Sequence, residues 1–153
     1  VSTTNILEIC VLIRRKGQLL FLLRGHTGYQ DGTYCTPAGH VEAGESYRQA
    51  AVREAFEEVG VRIKPGDLRH VLTTQRYTTP EDIRTGVYFE ADAWEGEPRN
   101  MEPDKHDSIA WFPADDLPMD KLIPFQQAAF RTLANGHTYH DLGWAVSTAK
   151  EPA

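Results

Sequence analysis

The stretch Gly39-His40-Val41-Glu42-Ala43-Gly44-Glu45-Ser46-Tyr47-Arg48-Gln49-Ala50-Ala51-Val52-Arg53-Glu54-Ala55-Phe56-Glu57-Glu58-Val59-Gly60-Val61 contains a helix with both ends written into it. Ser46 and Gln49 have the spacing of a capping box, and Gly60 follows Val59 as a left-handed stop, so the pattern predicts a helix over Tyr47 to Val59. At about 100° per residue, Glu54, Glu57 and Glu58 share one edge. The adjoining arc, Ala51, Val52, Ala55, Phe56 and Val59, is expected to face the core.

Carboxylates three and four residues apart repel one another. Glu58 also stands near the negative end of the helix dipole. No Lys or Arg partner is expected to relieve that edge, so the arrangement opposes folding unless a cation joins it. Magnesium favours oxygen ligands of this kind, with substrate phosphates completing its shell. Glu45 precedes the helix and Arg53 lies about two turns along it, a spacing that suits a bidentate contact fixing the loop to the helix. Gly39 and Gly44 allow the loop a tight path, and the Gly39 carbonyl is a further candidate oxygen ligand.

Outward from this segment, Leu7, Ile9, Val11 and Ile13 alternate with Glu8, Cys10, Leu12 and Arg14, the period of a strand. Gln18 to Arg24 is a continuous apolar run ending in a charge, as in an interior strand. A Gly-rich loop spans Gly25 to Gly32, Tyr34 to Thr36 is extended, and Pro37-Ala38-Gly39 turns toward the helix. Leu68 to Tyr77 and Thr85 to Trp94 read as strands separated by a loop over Thr78 to Asp82. Ile109 to Pro113 reads as a last strand. Pro124 opens a helix to about Ala134, ended by Asn135-Gly136. From His137 the pattern weakens, and a surface loop is expected. The order implies an α+β arrangement, a mixed sheet with helices packed on it, in one domain over residues 1 to 153.

The 153 residues are 41% hydrophobic and 25% charged, enough for a core without a structural metal. The longest apolar run, Leu19 to Leu23, is too short to cross a bilayer. A net charge of -6 disfavours a general nucleic-acid binder, which needs clustered Lys and Arg, but is compatible with a small anionic ligand held through a metal. Cys10 and Cys35 fall in strands outside any CxxC pair and are expected to be buried free thiols. With no signal-peptide pattern at Val1 to Asn5, the expected location is the cytoplasm.

The segment resembles the Nudix signature: Gly39, five residues, Glu45, seven residues, Arg53-Glu54, the apolar Ala55, Phe56, Glu57-Glu58, Val59, Gly60 and the apolar Val61. Every fixed position is matched. Thr36-Pro37-Ala38-Gly39 resembles the family's lead-in, with Ala38 where a first glycine is common. The resemblance implies a mixed sheet sandwiched between helices. It also implies magnesium-dependent hydrolysis, with manganese a possible substitute, of a diphosphate linkage in a nucleoside triphosphate or nucleoside diphosphate derivative. Glu54, Glu57 and Glu58 would hold the cations, and one of them or a glutamate outside the box would act as general base. Family members often pair, so a homodimer is an expected state. Non-catalytic nucleotide sensors of the same type form the competing class.

Outside the segment, Arg24 reads either as an exposed strand end or as a phosphate contact. Glu102, before the last strand, is a candidate metal ligand or base, and Glu90 competes for that role. Tyr77, Tyr88 and Trp111 are candidates to stack a nucleobase, against the commoner core role of strand aromatics. His137 and His140 would bind a metal only if a third ligand converged on them.

Overall fold

The computed structural model describes residues 4–144; residues 1–3 and the tail beyond residue 144, where part of the N-terminal and C-terminal readings fall, lie outside them. The chain runs β1 (Ile6–Arg15), β2 (Gln18–Arg24), β3 (Tyr34–Cys35), β4 (Ala38–His40), α1 (Tyr47–Val59), β5 (Arg69–Thr79), β6 (Asp82–Ala91), β7 (His106–Pro113), α2 (Pro124–Ala134) and β8 (Tyr139–Leu142). The sheet is mixed, in the order β3-β2-β1-β6-β5-β8, with β4 also on β1 and β7 on β2.

Alternation along the central strands builds two cores. Ile9, Val11 and Ile13 of β1, Leu20 and Leu22 of β2, and Val87 and Phe89 of β6 join Ala51, Ala55 and Val59 of α1. Their neighbours Cys10, Leu12, Leu19, Phe21 and Tyr88 turn the other way, to Ala129 and Phe130 of α2. The sheet is therefore covered on both faces, as expected, and each buried aliphatic side chain contributes roughly 1.5–3 kcal/mol against exposure. The run at β2 reads as uniformly apolar because both its faces are inside.

Both helix spans match their sequence signals. In α1 the Ser46 side chain accepts from the Gln49 backbone N–H while the Gln49 side chain caps the Ser46 N–H, and Gly60 takes φ 75°. The buried arc is rotated from the expected one. Ala50, Ala51, Glu54, Ala55, Glu58 and Val59 face inward, whereas Phe56 is 39% exposed, its ring beneath the Arg62 guanidinium at 4.5 Å. Small alanines let α1 lie close on the sheet, and that approach draws in the glutamate edge instead of Phe56.

Three strand readings change. Ala38–His40 is a short strand on β1, pairing Ala38 with Cys10, Gly39 with Ile9 and His40 with Glu8. The loop expected over Thr78 to Asp82 shrinks to a turn at Pro80-Glu81, because Thr79 still pairs with Asp82 and Arg76 with Arg84. These polar strand ends carry no apolar alternation to reveal them. The segment from His137 is not a loop throughout, since β8 pairs in parallel with β5 from Thr73↔Tyr139 to Arg76↔Leu142.

Candidate active site

Strand β4 brings the backbone of Gly39 against α1. A Cβ at Gly39 would run into the Glu54 carboxylate, so this position is glycine because the side chain of the helix occupies the space. One residue earlier, the Ala38 N–H donates to Glu58 Oε2 at 2.9 Å. Helix edge and strand are thereby joined at two successive residues.

Arg53 gathers the carboxylates around it. Its Nε donates to Glu45 Oε2 at 3.0 Å and its Nη2 to Glu45 Oε1 at 2.6 Å, a bidentate contact between helix and entry loop. Nη1 donates to Glu54 Oε1 at 2.7 Å and Glu57 Oε2 at 3.2 Å, and Nη2 also reaches the His40 carbonyl at 3.0 Å. The edge expected to lack a basic partner therefore has one, because the long side chain of Arg53 folds back over its own helix. Glu45 itself accepts from the Glu42 N–H at 2.8 Å, which closes the loop.

The electrostatics divide the glutamates. Burial pushes the Glu58 carboxyl well above its usual value, against the opposing Ala38 N–H, and neighbouring Glu54 and Glu102 push it further. Burial also raises Glu54, which Arg53 partly offsets. Glu45 is held low by its hydrogen bonds from Arg53. Glu57, with half of its side chain exposed, faces solvent at the outer edge.

Glu102 joins this group through backbone docking. The Arg99 N–H donates to the Val59 carbonyl and the Met101 N–H to the Glu58 carbonyl, each at 3.0 Å, so the segment 99–101 is fastened to the end of α1. Glu102 pairs with Lys105 at 3.1 Å and its charge is felt by both Glu54 and Glu58. Among the described residues no three His, Cys, Asp or Glu side chains stand as a preformed metal cluster. The donor set still fits a hard divalent cation. Its atoms are oxygens only, and two of its carboxylates are buried at a cost that positive charge would offset.

Beside Gly39 opens a cleft of about 670 Å³, lined by Glu8, Arg24, Tyr29, Ala38, Gly39, His40, Arg76, Thr78, Asp82, Arg84, Ile123 and Phe125. Its volume falls in the roughly 300–1,000 Å³ range of small-molecule sites. Glu8 lies between two guanidinia, accepting from Arg76 Nη2 and Arg84 Nη1 at 2.7 Å each. Arg84 Nε donates to Asp82 at 2.7 Å, and the Arg76 guanidinium covers the Phe125 ring at 4.2 Å.

Of the outlying candidates, Arg24 lines this cleft but spends two donor groups on the loop beyond it. Tyr77 packs on Trp144 at 4.8 Å between ring centres. Trp111 lies in the α1 layer beside Trp94, under Arg15 at 4.4 Å. Neither lines the cleft. Tyr88 is buried in the α2 core, and Glu90 is paired with Arg14 and Arg69. His140 Nδ1 meets Thr132 Oγ1 at 2.9 Å, and no third ligand joins it or His137 among the described residues. The cleft residues missed from sequence, Glu8, Tyr29, Arg76 and Arg84, come from separate strands and a loop. Only the pairing of β1 with β6 and β6 with β5 assembles most of them.

The NUDIX domain family model matches residues 7–134. The chain is 36% identical over 112 residues to the NAD-capped RNA hydrolase NudC of Klebsiella pneumoniae, covering 72% of this chain and 40% of that protein. NudC of Escherichia coli O1:K1 / APEC gives 36% over 111 residues, with the same coverage of 72% and 40%. The chain thus spans about two fifths of the length of these curated relatives. Among solved structures, the MutT NUDIX hydrolase from Burkholderia pseudomallei has a TM-score of 0.74 at 26% identity, over 84% of this chain and 97% of that one. The E. coli ORF135 protein shares the fold, with a TM-score of 0.73 at 23% identity over 87% of this chain and 91% of that one. On the extent of the family match, and with the complete signature seated on α1 and β4, the chain belongs to the NUDIX hydrolase family.

Proposed function

We propose that this chain hydrolyses a diphosphate linkage in a nucleoside triphosphate or a nucleoside diphosphate derivative, using magnesium, with manganese able to substitute. The observation that carries the reading is the pair of buried glutamates, Glu54 and Glu58, set against Gly39 and Ala38, two residues that line a nucleotide-sized cleft. Glu54, Glu57 and Glu58 would hold the metal, with the Gly39 carbonyl and Glu102 as further oxygen donors. The cation, when bound, supplies positive charge to the phosphoryl oxygens and acidifies water.

The chain's own residues do the rest. Arg53 and Glu45 position the entry loop and the helix edge so that the carboxylates are fixed before substrate arrives. A box glutamate or Glu102 takes the proton as water attacks phosphorus and the anhydride P–O bond breaks toward the leaving phosphate. Burial raises the Glu54 and Glu58 carboxyls in the metal-free chain, a cost that the positive charge of a bound cation would offset. The acidic net charge and the size of the cleft favour a small molecule as substrate. Two buried cysteines without a disulfide support a reducing, cytoplasmic setting.

The test is incubation with Mg²⁺ and a panel of nucleoside triphosphates, nucleoside diphosphate sugars, NAD and a short NAD-capped RNA, with products separated by chromatography. The last two are included because the NudC relatives are named for that cap. Turnover of a panel member, lost in Glu54→Gln, supports the reading. A folded protein that binds metal and cuts nothing would be a sensor domain instead.

A further inference from the structure

We propose that Tyr29 is the nucleobase-stacking residue of the cleft, which makes the loop over residues 25–32 a specificity element for substrates carrying a planar heteroaromatic ring. The inference rests on the nucleotide reading of the site and names the group that reads the base.

Tyr29 is 59% exposed and stands on a loop whose backbone is tied by its own hydrogen bonds. Its carbonyl accepts from Arg24 Nε at 3.0 Å, and its N–H donates to Thr27 Oγ1 at 3.1 Å. Asp31 receives the Gly28 N–H at 2.8 Å and the Thr27 hydroxyl at 2.6 Å. The base of the loop is closed by the Gly32 N–H on the Arg24 carbonyl at 2.8 Å, and the Gly25 N–H ties it to the Lys105 carbonyl at 3.0 Å. His26 and Gln30 take φ of 64° and 51°, a left-handed conformation that costs a non-glycine residue roughly 1–2 kcal/mol. Such strain persists where the surroundings impose it, commonly at ligand clamps.

The remaining chemistry of the cleft selects the ligand class. Its inner arginines are neutralised, Arg76 and Arg84 by Glu8 and Arg84 again by Asp82, which makes them poor hooks for a second phosphate. Flat surfaces remain. Tyr29 presents its ring with the Arg24 guanidinium 5.6 Å from its centre, and the Phe125 ring lies in the same cleft with the Arg76 guanidinium 4.2 Å from its centre. A nucleobase stacks on such surfaces whatever its sequence of edge donors. Because the loop is already ordered, little further entropy is lost when it does so.

The experiment compares wild type, Tyr29→Phe, Tyr29→Leu and Tyr29→Ala by calorimetric binding of AMP, GMP, CMP, UMP and ribose 5-phosphate in Mg²⁺. Wild type and Tyr29→Phe should bind at least one nucleoside monophosphate roughly tenfold more tightly than ribose 5-phosphate, as one stacked base allows. Tyr29→Leu and Tyr29→Ala should lose that difference while keeping the affinity for ribose 5-phosphate, which also reports that the fold and the phosphate end of the site are intact. A difference that survives in both non-aromatic variants, no difference in wild type, no detectable binding, or an equal loss for ribose 5-phosphate overturns the assignment. Binding discrimination with no hydrolysis of any panel compound would instead overturn the catalytic reading alone.

Discussion

Glu58 is buried on an acidic helix edge and held by a single backbone N–H. Its folded value lies above the ordinary 4.5, so between those two values the folded chain holds a proton that the unfolded chain has released. Stability of the metal-free protein therefore falls as pH rises through that window and recovers as pH drops toward 4.5, with Glu54 acting in the same direction. Melting temperatures measured in chelator from about pH 5 to about pH 8 should show this slope. Glu58→Gln keeps an acceptor for the Ala38 N–H, so it should melt higher than wild type at neutral pH, with a flatter profile. A variant that melts lower, on an unchanged profile, would mean that the carboxylate is not the source of the cost. Arg53 is the second residue with a measurable signature. Lysine cannot span both oxygens of Glu45, so Arg53→Lys should lose about 10–100-fold in activity or metal affinity, the usual cost of loosening a group that orients ligands. Wild-type kinetics in that variant would reduce the contact to an exposed ion pair. The candidate site was legible as far as helical spacing reaches. Glu54, Glu57, Glu58, Arg53 and Glu45 lie within one segment; Glu102 was a candidate from its place before the last strand, but only the docking of segment 99–101 onto the end of α1 brings it near them, and the cleft wall is assembled from β1, β5, β6 and a loop.

At the scale of elements, α1 combines a complete capping box at its start with a buried apolar face built largely of alanines. Ser46→Ala removes one side of the capping box and should cost about 1 kcal/mol in urea unfolding, with an unchanged denaturant slope. A null result would show that tertiary packing alone fixes the first turn. Strands β1 and β2 and both helices announce themselves because apolar period, caps and Pro or Gly punctuation agree locally. Strand β4 has three residues and no pattern; it exists because Gly39 and Ala38 must lie beside β1 and under α1. Strand β8 is polar and largely exposed, and only its pairing with β5 defines it. The rotation of α1 was hidden for a related reason. An amphipathic reading assigns Phe56 inward by its chemistry, but close approach through Ala51 and Ala55 decides which arc is buried, and Arg62 covers the displaced ring.

For the molecule as a whole, the two cores share their strands. Ile9, Val11 and Ile13 serve the α1 layer while Cys10 and Leu12 serve the α2 layer, so neither helix can leave without exposing residues of strands that the other layer holds. Each core contains one cysteine, Cys35 on the α1 side and Cys10 on the α2 side. Burial raises both thiols to about 12, which leaves almost no thiolate at neutral pH in the folded state. Alkylation should therefore report opening, and because the layers are interlocked the two thiols should be modified together at the rate of global unfolding. If Mg²⁺ binds the folded state at the α1 edge as proposed, it should slow both by the factor expected for a ligand of the native form, one plus the ratio of free metal to its dissociation constant. Mass spectrometry of partly modified protein separates the possibilities. Modification of Cys35 well ahead of Cys10, suppressed by Mg²⁺ at Cys35 alone, would mean that the layer carrying the carboxylates opens independently. The sheet would then be a scaffold for two separately stable faces rather than a single cooperative unit.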